Sequence, residues 1–521
     1  MQIKHSGRQL QKKATSNLVI RGTLILTITG LSTRAIGFYN RIFLSNLIGA
    51  KELGIYQLIF PLYMVAFSLT TFGNELALTK LVSEYKSRNN MKTANLFFRI
   101  CLCINLTLGI ITAVMMYLFA DFLCARILKA PECVPCLRVI CIGIPFLSVK
   151  GAIHGYFLGQ EKSGVHGISD FLEQIAKVLG LYMLSTYYCQ QKHYPASFAV
   201  WGIVIGEIIS FLYSVIALLI NKQKTKKEGI DASSHIFYRK AITIFFKNAL
   251  PLTTNRLALT ILQSIEAIII PTVLQLYYRN STISLSIYGV FTGMAFPFIM
   301  FPSTITNSLS TMLLPAVSSA KNAIQVPYLQ NLCNKSLHFC TLIGLFSMNV
   351  FYIFGPRIGE LIFHNQDAGQ YLFLLSFLCP FIYLSTTLAS ILNGLGYATH
   401  NLVLTLLATL IRISFIIISI PKIGMIGYII GLFVSYIFLT VVCLKKLQKT
   451  VEIEFPFLQS IFYPTVFFIF GGVISNFLYE KQIICIHTSP FLSLLLVLTL
   501  YATLSLLPFL IQLLKKQTHE S

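Results

Sequence analysis

Long apolar runs, separated by short polar breaks, dominate the chain from residue 18 onward. A helix needs about 20 mostly apolar residues to cross a bilayer, and a spanning segment must satisfy its own backbone groups. The pattern therefore predicts an all-α integral membrane protein with about fourteen transmembrane helices. We place them at 18–48, 54–83, 95–119, 137–159, 168–189, 198–220, 245–278, 284–312, 330–355, 370–393, 401–420, 424–444, 458–479 and 490–513.

Basic residues cluster in several of the breaks on one side of the predicted membrane, which sets the expected orientation. Such clusters mark cytoplasmic loops. They lie before helix one and after helices two, six, twelve and fourteen, while the loop after helix three is a basic exception. Both termini are therefore expected in the cytoplasm and the protein in the cell (cytoplasmic) membrane. The first run is too long for a signal peptide and carries Arg21, so we interpret it as an uncleaved helix.

Composition supports a membrane solvent and argues against a nucleic-acid partner. The 521 residues are 55% hydrophobic and 11% charged, and their mean hydropathy is +0.73. A net charge of +22 would suit a nucleic-acid-binding protein. Here, however, the charges lie in short segments between apolar runs, with no soluble region long enough for such a module.

The longest polar break, Asn221 to Arg239, falls after six predicted helices and suggests two related halves. Gly54-Ile55-Tyr56 resembles Ser286-Ile287-Tyr288, and Ile205-Gly206 resembles Ile430-Gly431, at nearly equal separations. Six helices per half preserve orientation, so the halves would be parallel, pseudo-symmetric bundles. The predicted domains are a six-helix lobe (1–220), a basic cytoplasmic linker (221–244), a second six-helix lobe (245–446), and helices thirteen and fourteen with a tail (447–521).

Charged residues inside the predicted spans are costly and need a reason, at roughly 2.5–3.5 kcal/mol each on insertion scales. Arg34 and Arg41 lie seven residues apart, two turns of one helix, and so share a face. That face is expected to line a cavity or meet acids, although a side chain near a helix end can also extend to the interface. The further intramembrane cations are Lys150, Lys177, Arg256 and Arg412.

Three acids inside the spans, Glu75, Glu207 and Glu266, would serve as counter-ions to these cations or as carriers of a coupling proton or sodium ion. Glu173 and Lys177 are spaced i, i+4 and could pair with each other. Cations outnumber acids even so, which favours an anionic substrate.

Motifs of soluble enzymes are missing from the sequence, which contains no Walker loop, no HExxH and no Ser/His/Asp pattern. Cys133 and Cys136 form a single CxxC with no histidine nearby, which suits a local disulfide or coincidence better than zinc. We therefore expect no enzyme activity, no catalytic residue, no cofactor and no metal.

Two stretches resemble the MOP superfamily of exporters. They are Leu31-Ser32-Thr33-Arg34-Ala35-Ile36-Gly37-Phe38, followed by Gly54-Ile55-Tyr56-Gln57, and Gly155-Tyr156-Phe157-Leu158-Gly159-Gln160, followed by the segment from Ser169 to Lys177. The similarity is to the polysaccharide-transporter branch, which includes stage V sporulation proteins, and more distantly to the lipid II flippases. With the helix count and the two halves, it extends over essentially the whole chain.

The resemblance implies a flippase that moves a lipid-linked oligosaccharide, such as lipid II, by alternating access in peptidoglycan or spore cortex synthesis. Arg34 falls on a cavity arginine of the lipid II flippases, and Arg41 lies one position beyond another. Their helix-eight arginine has no counterpart, because the stretch near Thr292 and Gly293 is uncharged. Arg256, Lys150 and Arg412 complete the expected substrate-binding set.

Partners implied by this reading are the lipid-linked substrate, membrane lipids and cell-wall synthesis proteins, with transport coupled to the membrane potential, a proton or sodium. The alternatives are a cation-coupled multidrug exporter of the same superfamily, which would show an acid-dominated site, an exporter of another lipid-linked polysaccharide, and a membrane-embedded cell-wall enzyme or a scaffold.

Overall fold

The computed structural model describes residues 2–88, 90–187, 195–227, 238–451, 453, 458–481 and 490–520, and these contain helices and no strand. Ten of the described helices are long and apolar enough to cross a membrane, or eleven if one bent pair counts as a single span. The predicted all-helical membrane fold is confirmed. The number of fourteen spans stays a prediction. Thr29–Ser87, which the sequence divides into two spans, counts as one long helix. Helix α6 (Gly164–Tyr187) is not counted among the ten, and it carries the charged residues Asp170, Glu173 and Lys177.

The chain forms two compact units, Met1–Thr272 and Val273–Ser521. The division falls inside a helix, α8, and not at the basic segment where the sequence places its linker. The predicted domain limits at 220, 244 and 446 stay a prediction.

Helices of the first unit follow the predicted runs closely. They are α1 (Gln2–Phe67), α2 (Gly73–Ser87), α3 (Met91–Leu118), α4 (Ala120–Phe122), α5 (Val134–Gly159), α6 (Gly164–Tyr187), α7 (Ala196–Lys227) and α8 (Tyr238–Tyr278) up to Thr272. Short π-helical segments lie at Ser68–Phe72 and Leu123–Ile127, and a 3-10 turn at Pro131–Cys133.

Gly49 explains why two predicted helices appear as one. Its φ of +78° is a conformation that glycine adopts without the strain of a Cβ atom, and it kinks α1 between the predicted runs 18–48 and 54–83. After the kink the chain continues through the π-helical segment Ser68–Phe72 into α2. A core of α2, α3, α5 and α8 side chains, including Leu78, Phe97 and Phe245, is buried around this path.

Helices of the second unit continue the series after Thr272. They are the end of α8, then α9 (Ser281–Gly289), α10 (Phe296–Met300), α11 (Ser303–Asn322), α12 (Val326–Phe363), α13 (Gln366–Ser376), α14 (Cys379–Gly394), α15 (Ala398–Ile423), α16 (Met425–Thr450), α17 (Tyr463–Glu480) and α18 (Pro490–Glu520). π-Helical segments lie at Val290–Ala295 and Leu458–Phe462. Helices α13 and α14 form the bent pair, at 57°.

Cys133 and Cys136 are both buried and both have free thiols. The sequence left a local disulfide open, and the structure does not form it. Their burial suits cysteine acting as a small apolar side chain at the start of α5.

Candidate functional site

Two lysines and two glutamates form a buried network in the first unit. Lys150 on α5 places Nζ 2.6 Å from Glu173 Oε2 and 2.6 Å from Glu207 Oε2. Lys177 Nζ lies 2.5 Å from Glu173 Oε1, and Tyr63 donates a hydrogen bond of 2.9 Å to Glu207 Oε1. We call these five residues the Lys–Glu network. Its two positive and two negative charges cancel inside the unit.

A glycine on α7 lets the network close. A Cβ atom on Gly206 would lie 2.7 Å from Lys177 Cγ and 2.9 Å from the Glu173 carbonyl oxygen, so only a residue without a side chain allows α6 and α7 to approach this closely. The next residue, Glu207, is thereby held against Lys150 with only 3% of its surface exposed.

The sequence predicted the Glu173–Lys177 pair from its i, i+4 spacing, and the structure forms it. The sequence did not predict the partners of Lys150, because they lie 23 and 57 residues away on other helices. The hydrogen bond from Tyr63 was not predicted either, because Tyr63 lies 144 residues from Glu207. Substrate binding by Lys150 stays a prediction. Its ammonium group is already paired with two carboxylates, those of Glu173 and Glu207.

Arg34 and Arg41 lie on the part of α1 before the Gly49 kink, and the helix face they share is turned toward α6. Between them, a Cβ atom on Gly37 would lie 3.5 Å from Gln174 Oε1. Both arginines are nevertheless exposed. An exposed side chain on a face that packs toward a neighbouring helix suits a crevice better than a lipid-facing surface.

Arg41 also lies near the Lys–Glu network. Tyr56, which is 9% exposed, is within electrostatic range of both Arg41 and Lys177. Among the residues that the structure describes, Arg41 forms no ion pair with a carboxylate.

Arg256 on α8 is a second cation that pairs with no acid among the described residues. Its guanidinium carbon lies 4.7 Å from the centre of the Phe72 ring, and its buried Nε has no hydrogen-bond partner within the described part of the chain. A 2.8 Å hydrogen bond between Ser68 and Thr260 fastens this stretch of α8 to the π-helical segment that ends at Phe72. Arg256 is therefore positioned within the first unit.

Arg412 belongs to the second unit. Its guanidinium donates a 3.1 Å hydrogen bond to Thr409 Oγ1 and lies 5.9 Å from the centre of the Tyr436 ring. The uncharged stretch that the sequence singled out, Thr292 and Gly293, lies in the π-helical segment of the same unit, where the Thr292 hydroxyl donates to the Tyr288 carbonyl oxygen at 2.6 Å.

The three predicted acids have different environments. Glu207 belongs to the Lys–Glu network, and Glu266 is buried on α8 with 6% exposed. Glu75 is partly buried on α2, where its carboxylate lies beside His154 and His166. Lys150 and His154 are four residues apart on α5 and so share a face of that helix, whereas nothing in the sequence links His166 to them. No single helix holds these groups, so their assembly depends on tertiary packing.

Comparison with known proteins gives consistent matches. The family described as polysaccharide biosynthesis protein matches residues 19–321, more than half of the chain. Stage V sporulation protein B of Bacillus subtilis (strain 168) is 24% identical over 440 residues, covering 84% of each chain.

Two solved structures share the fold. The lipid II flippase MurJ in an inward closed conformation aligns with a TM-score of 0.67 at 16% identity, covering 94% of this chain and all of that one. An inward-facing multidrug resistance MATE transporter of the MOP superfamily aligns with a TM-score of 0.61 at 15% identity, covering 81% of this chain and 95% of the other.

Proposed function

The chain belongs to the polysaccharide biosynthesis protein family, and from this premise we propose that it is a flippase for a lipid-linked sugar precursor. The resemblance to MOP polysaccharide transporters drawn from its residues is confirmed. The proposed cargo is a polyprenyl-pyrophosphate-linked sugar of the lipid II kind, moved across the cytoplasmic membrane by alternating access. The proposed role is in peptidoglycan or spore cortex synthesis, without enzyme chemistry.

One observation carries the proposal: the first unit neutralises its buried lysines but leaves Arg41 and Arg256 without acids among its described residues. A guanidinium can offer two parallel hydrogen bonds to phosphate oxygens, and it stays charged at any physiological pH. Cations that no described carboxylate neutralises suit a pyrophosphate headgroup. A cationic drug would instead meet repulsion from them.

The membrane potential would assist such a cycle. An inside-negative potential is worth about 2.3 kcal/mol per charge per 100 mV, so outward movement of a net anion is favourable, as is inward return of an empty cationic cavity. This cycle assumes that both termini lie in the cytoplasm, as the basic loops predict. It does not need an ATP site. The alternative is that a proton or a sodium ion drives the return of the empty protein. Glu75, Glu207 or Glu266 would then carry that ion.

The test measures the leaflet in which lipid II resides. Cells depleted of this protein are expected to accumulate lipid II in the inner leaflet, and wild-type protein to restore outer-leaflet exposure. The Arg256→Ala variant should insert normally yet fail to restore exposure. The matched control is Arg88→Ala, which removes a 63% exposed arginine paired with Glu84. Depletion without inner-leaflet accumulation would refute the lipid II assignment.

The same cells distinguish the multidrug exporter. The fold is shared with a MATE transporter, so an exporter role predicts increased sensitivity to cationic drugs on depletion, with lipid II distribution unchanged. A flippase predicts the reverse. Dissipating the membrane potential in reconstituted vesicles should slow flipping of a pyrophosphate lipid. An unchanged rate would refute the proposal that the potential drives the cycle.

A further inference from the structure

Three side chains that commonly bind metals meet in the first unit, one from each of three helices. Glu75 on α2, His154 on α5 and His166 on α6 bring one donor atom each to within 4.8 Å of the others. The two histidine Nδ1 atoms face each other at 2.9 Å, and the ring centres are 4.5 Å apart. Binding of an anionic headgroup by Arg41 and Arg256 does not require this cluster; of its three members, only Glu75 has a part in the alternative of proton or sodium coupling.

Glycines on α5 bring Glu75 to the histidines. A Cβ atom on Gly155 would lie 2.7 Å from the Glu75 carbonyl oxygen and 3.2 Å from its Cα, and one on Gly151 would lie 3.7 Å from its carboxylate Oε2. This part of α2 therefore packs directly on the backbone of α5. Close helix contact fixes where the Glu75 carboxylate can lie.

Hydrogen bonding fixes which nitrogen of His154 is free. Its Nε2 lies 3.3 Å from the Ser214 hydroxyl, and that hydroxyl donates its own proton to the Ser210 carbonyl oxygen at 2.9 Å. With its one proton given to that carbonyl oxygen, Ser214 accepts from His154, which places the His154 proton on Nε2; the Ser169 hydroxyl, at 3.0 Å, is the other partner of Ser214. The lone pair of neutral His154 is then on Nδ1, pointing at His166. Metal-binding histidines are oriented in this way by their second nitrogen.

The Glu75 carboxylate has no hydrogen bond or ion pair among the described residues, in contrast to Glu173 and Glu207. A carboxylate withdrawn from water without a partner is unfavourable, and a cation would relieve that cost. Asp170 adds a second negative charge 3.7 Å from His166 Nδ1. Lys150 is within electrostatic range of Glu75, but Glu173 and Glu207 neutralise its charge.

We propose that Glu75, His154 and His166 form a binding site for a transition-metal dication of the Zn²⁺ class. Two imidazoles and a carboxylate are the donors that such ions take, whereas Mg²⁺ and Ca²⁺ prefer oxygen alone. Nitrogens of a tetrahedral zinc site lie about 3.3 Å apart, so the imidazoles need to separate by only a few tenths of an ångström. For His166 to bind the metal as a neutral imidazole, the proton on its Nδ1 passes to water and its Nε2 carries the ring proton instead.

Occupancy would join α2, α5 and α6 through one ion. Because each helix contributes one ligand, the metal would oppose any movement that separates these helices. The site therefore serves as a metal-dependent clamp within the first unit, independent of which lipid the protein carries.

The experiment titrates purified, tag-free, full-length protein with Co²⁺, which occupies zinc sites and shows visible ligand-field bands. One Co²⁺ per chain is expected, displaced by Zn²⁺. Glu75→Gln, His154→Ala and His166→Ala should each abolish micromolar binding. Ser214→Ala, which removes only the support of His154, should weaken binding about tenfold.

His364→Ala is the matched control, because it removes an exposed histidine of the second unit and should leave the stoichiometry at one. His166 is less buried than His154, so His166→Ala serves if His154→Ala fails to elute as a folded protein. Wild-type protein that binds no Co²⁺ at micromolar concentration overturns the proposal. Binding that survives in folded His166→Ala and Glu75→Gln protein overturns it equally.

Discussion

The two units bury different chemistry. The first, Met1–Thr272, buries Lys150, Glu207 and Glu266 among its apolar side chains. In the second, Val273–Ser521, the buried side chains that the structure describes include no charged one, and apart from tyrosines and cysteines the polar ones are serine, threonine or asparagine. Formal charge is thus concentrated in the interior of one unit.

The second unit instead relies on hydroxyl groups and close helix packing. The Ser310 hydroxyl lies 3.2 Å from the Thr387 hydroxyl, which also meets Cys340 Sγ at 3.0 Å. A Cβ atom on Gly359 would lie 2.2 Å from the Gly369 nitrogen, so α12 and α13 touch backbone to backbone. Such contacts stabilise helices in a membrane without adding a net charge to the interior. The contrast agrees with the proposal that the first unit meets the charge of the substrate, and the predictions below test it.

The largest effect is expected from unbalancing the Lys–Glu network. Lys150→Met would leave Glu173 and Glu207 with only Lys177 as a cation, and removing one partner of a buried ion pair typically costs about 3–5 kcal/mol. The free energy of unfolding in mixed micelles should fall by that amount. Lys150→Met combined with Glu207→Gln restores neutrality and should recover much of the loss.

The control for this prediction is Lys80→Met, at an exposed lysine that donates a hydrogen bond of 3.0 Å to Asn248 and forms no ion pair among the described residues. It should change the free energy of unfolding little. If Lys150→Met were as mild as Lys80→Met, the network would not be the stabilising feature that separates the units.

Packing in the second unit should show the next largest effect. Gly359→Ala forces a methyl group against the Gly369 backbone, which cannot move aside as a side chain can. Overpacking of this kind costs roughly 1–3 kcal/mol. Gly30→Ala is the matched control, since nothing lies within 4 Å of its Cβ position, and thermal unfolding of both variants gives the comparison. Equal melting temperatures would contradict the close packing inferred for α12 and α13.

The sequence predicted the helices well because each one is marked by its own residues. It also found the Glu173–Lys177 pair, whose i, i+4 spacing is local. It could not find the partners of Lys150, because pairing between helices depends on which faces meet in three dimensions. His166 was missed for the same reason, lying 12 residues and one helix away from His154.

Arginines of the two units should differ in their effect on transport. Arg256→Ala should lower flipping of a pyrophosphate lipid in vesicles at least tenfold, worth about 1.4 kcal/mol, because it removes a charge without an internal acid. Arg412→Ala should lower it less, since that guanidinium is already bonded to Thr409. Equal losses of flipping would mean that arginines of both units bind the charged group of the substrate, as the sequence alone predicted.

The smallest effect is expected at the surface of the first unit, at the ion pair of Glu84 with Arg88. Their atoms lie 2.8 Å apart, as close as in many buried pairs, but the side chains are 40% and 63% exposed. Water and salt screen such a pair, so Glu84→Gln should change the free energy of unfolding by less than about 0.5 kcal/mol. The same unfolding measurement at low and high salt checks this, with Lys150→Met as the contrast. If Glu84→Gln were as costly as Lys150→Met, burial would not be what distinguishes the Lys–Glu network from an ordinary surface pair.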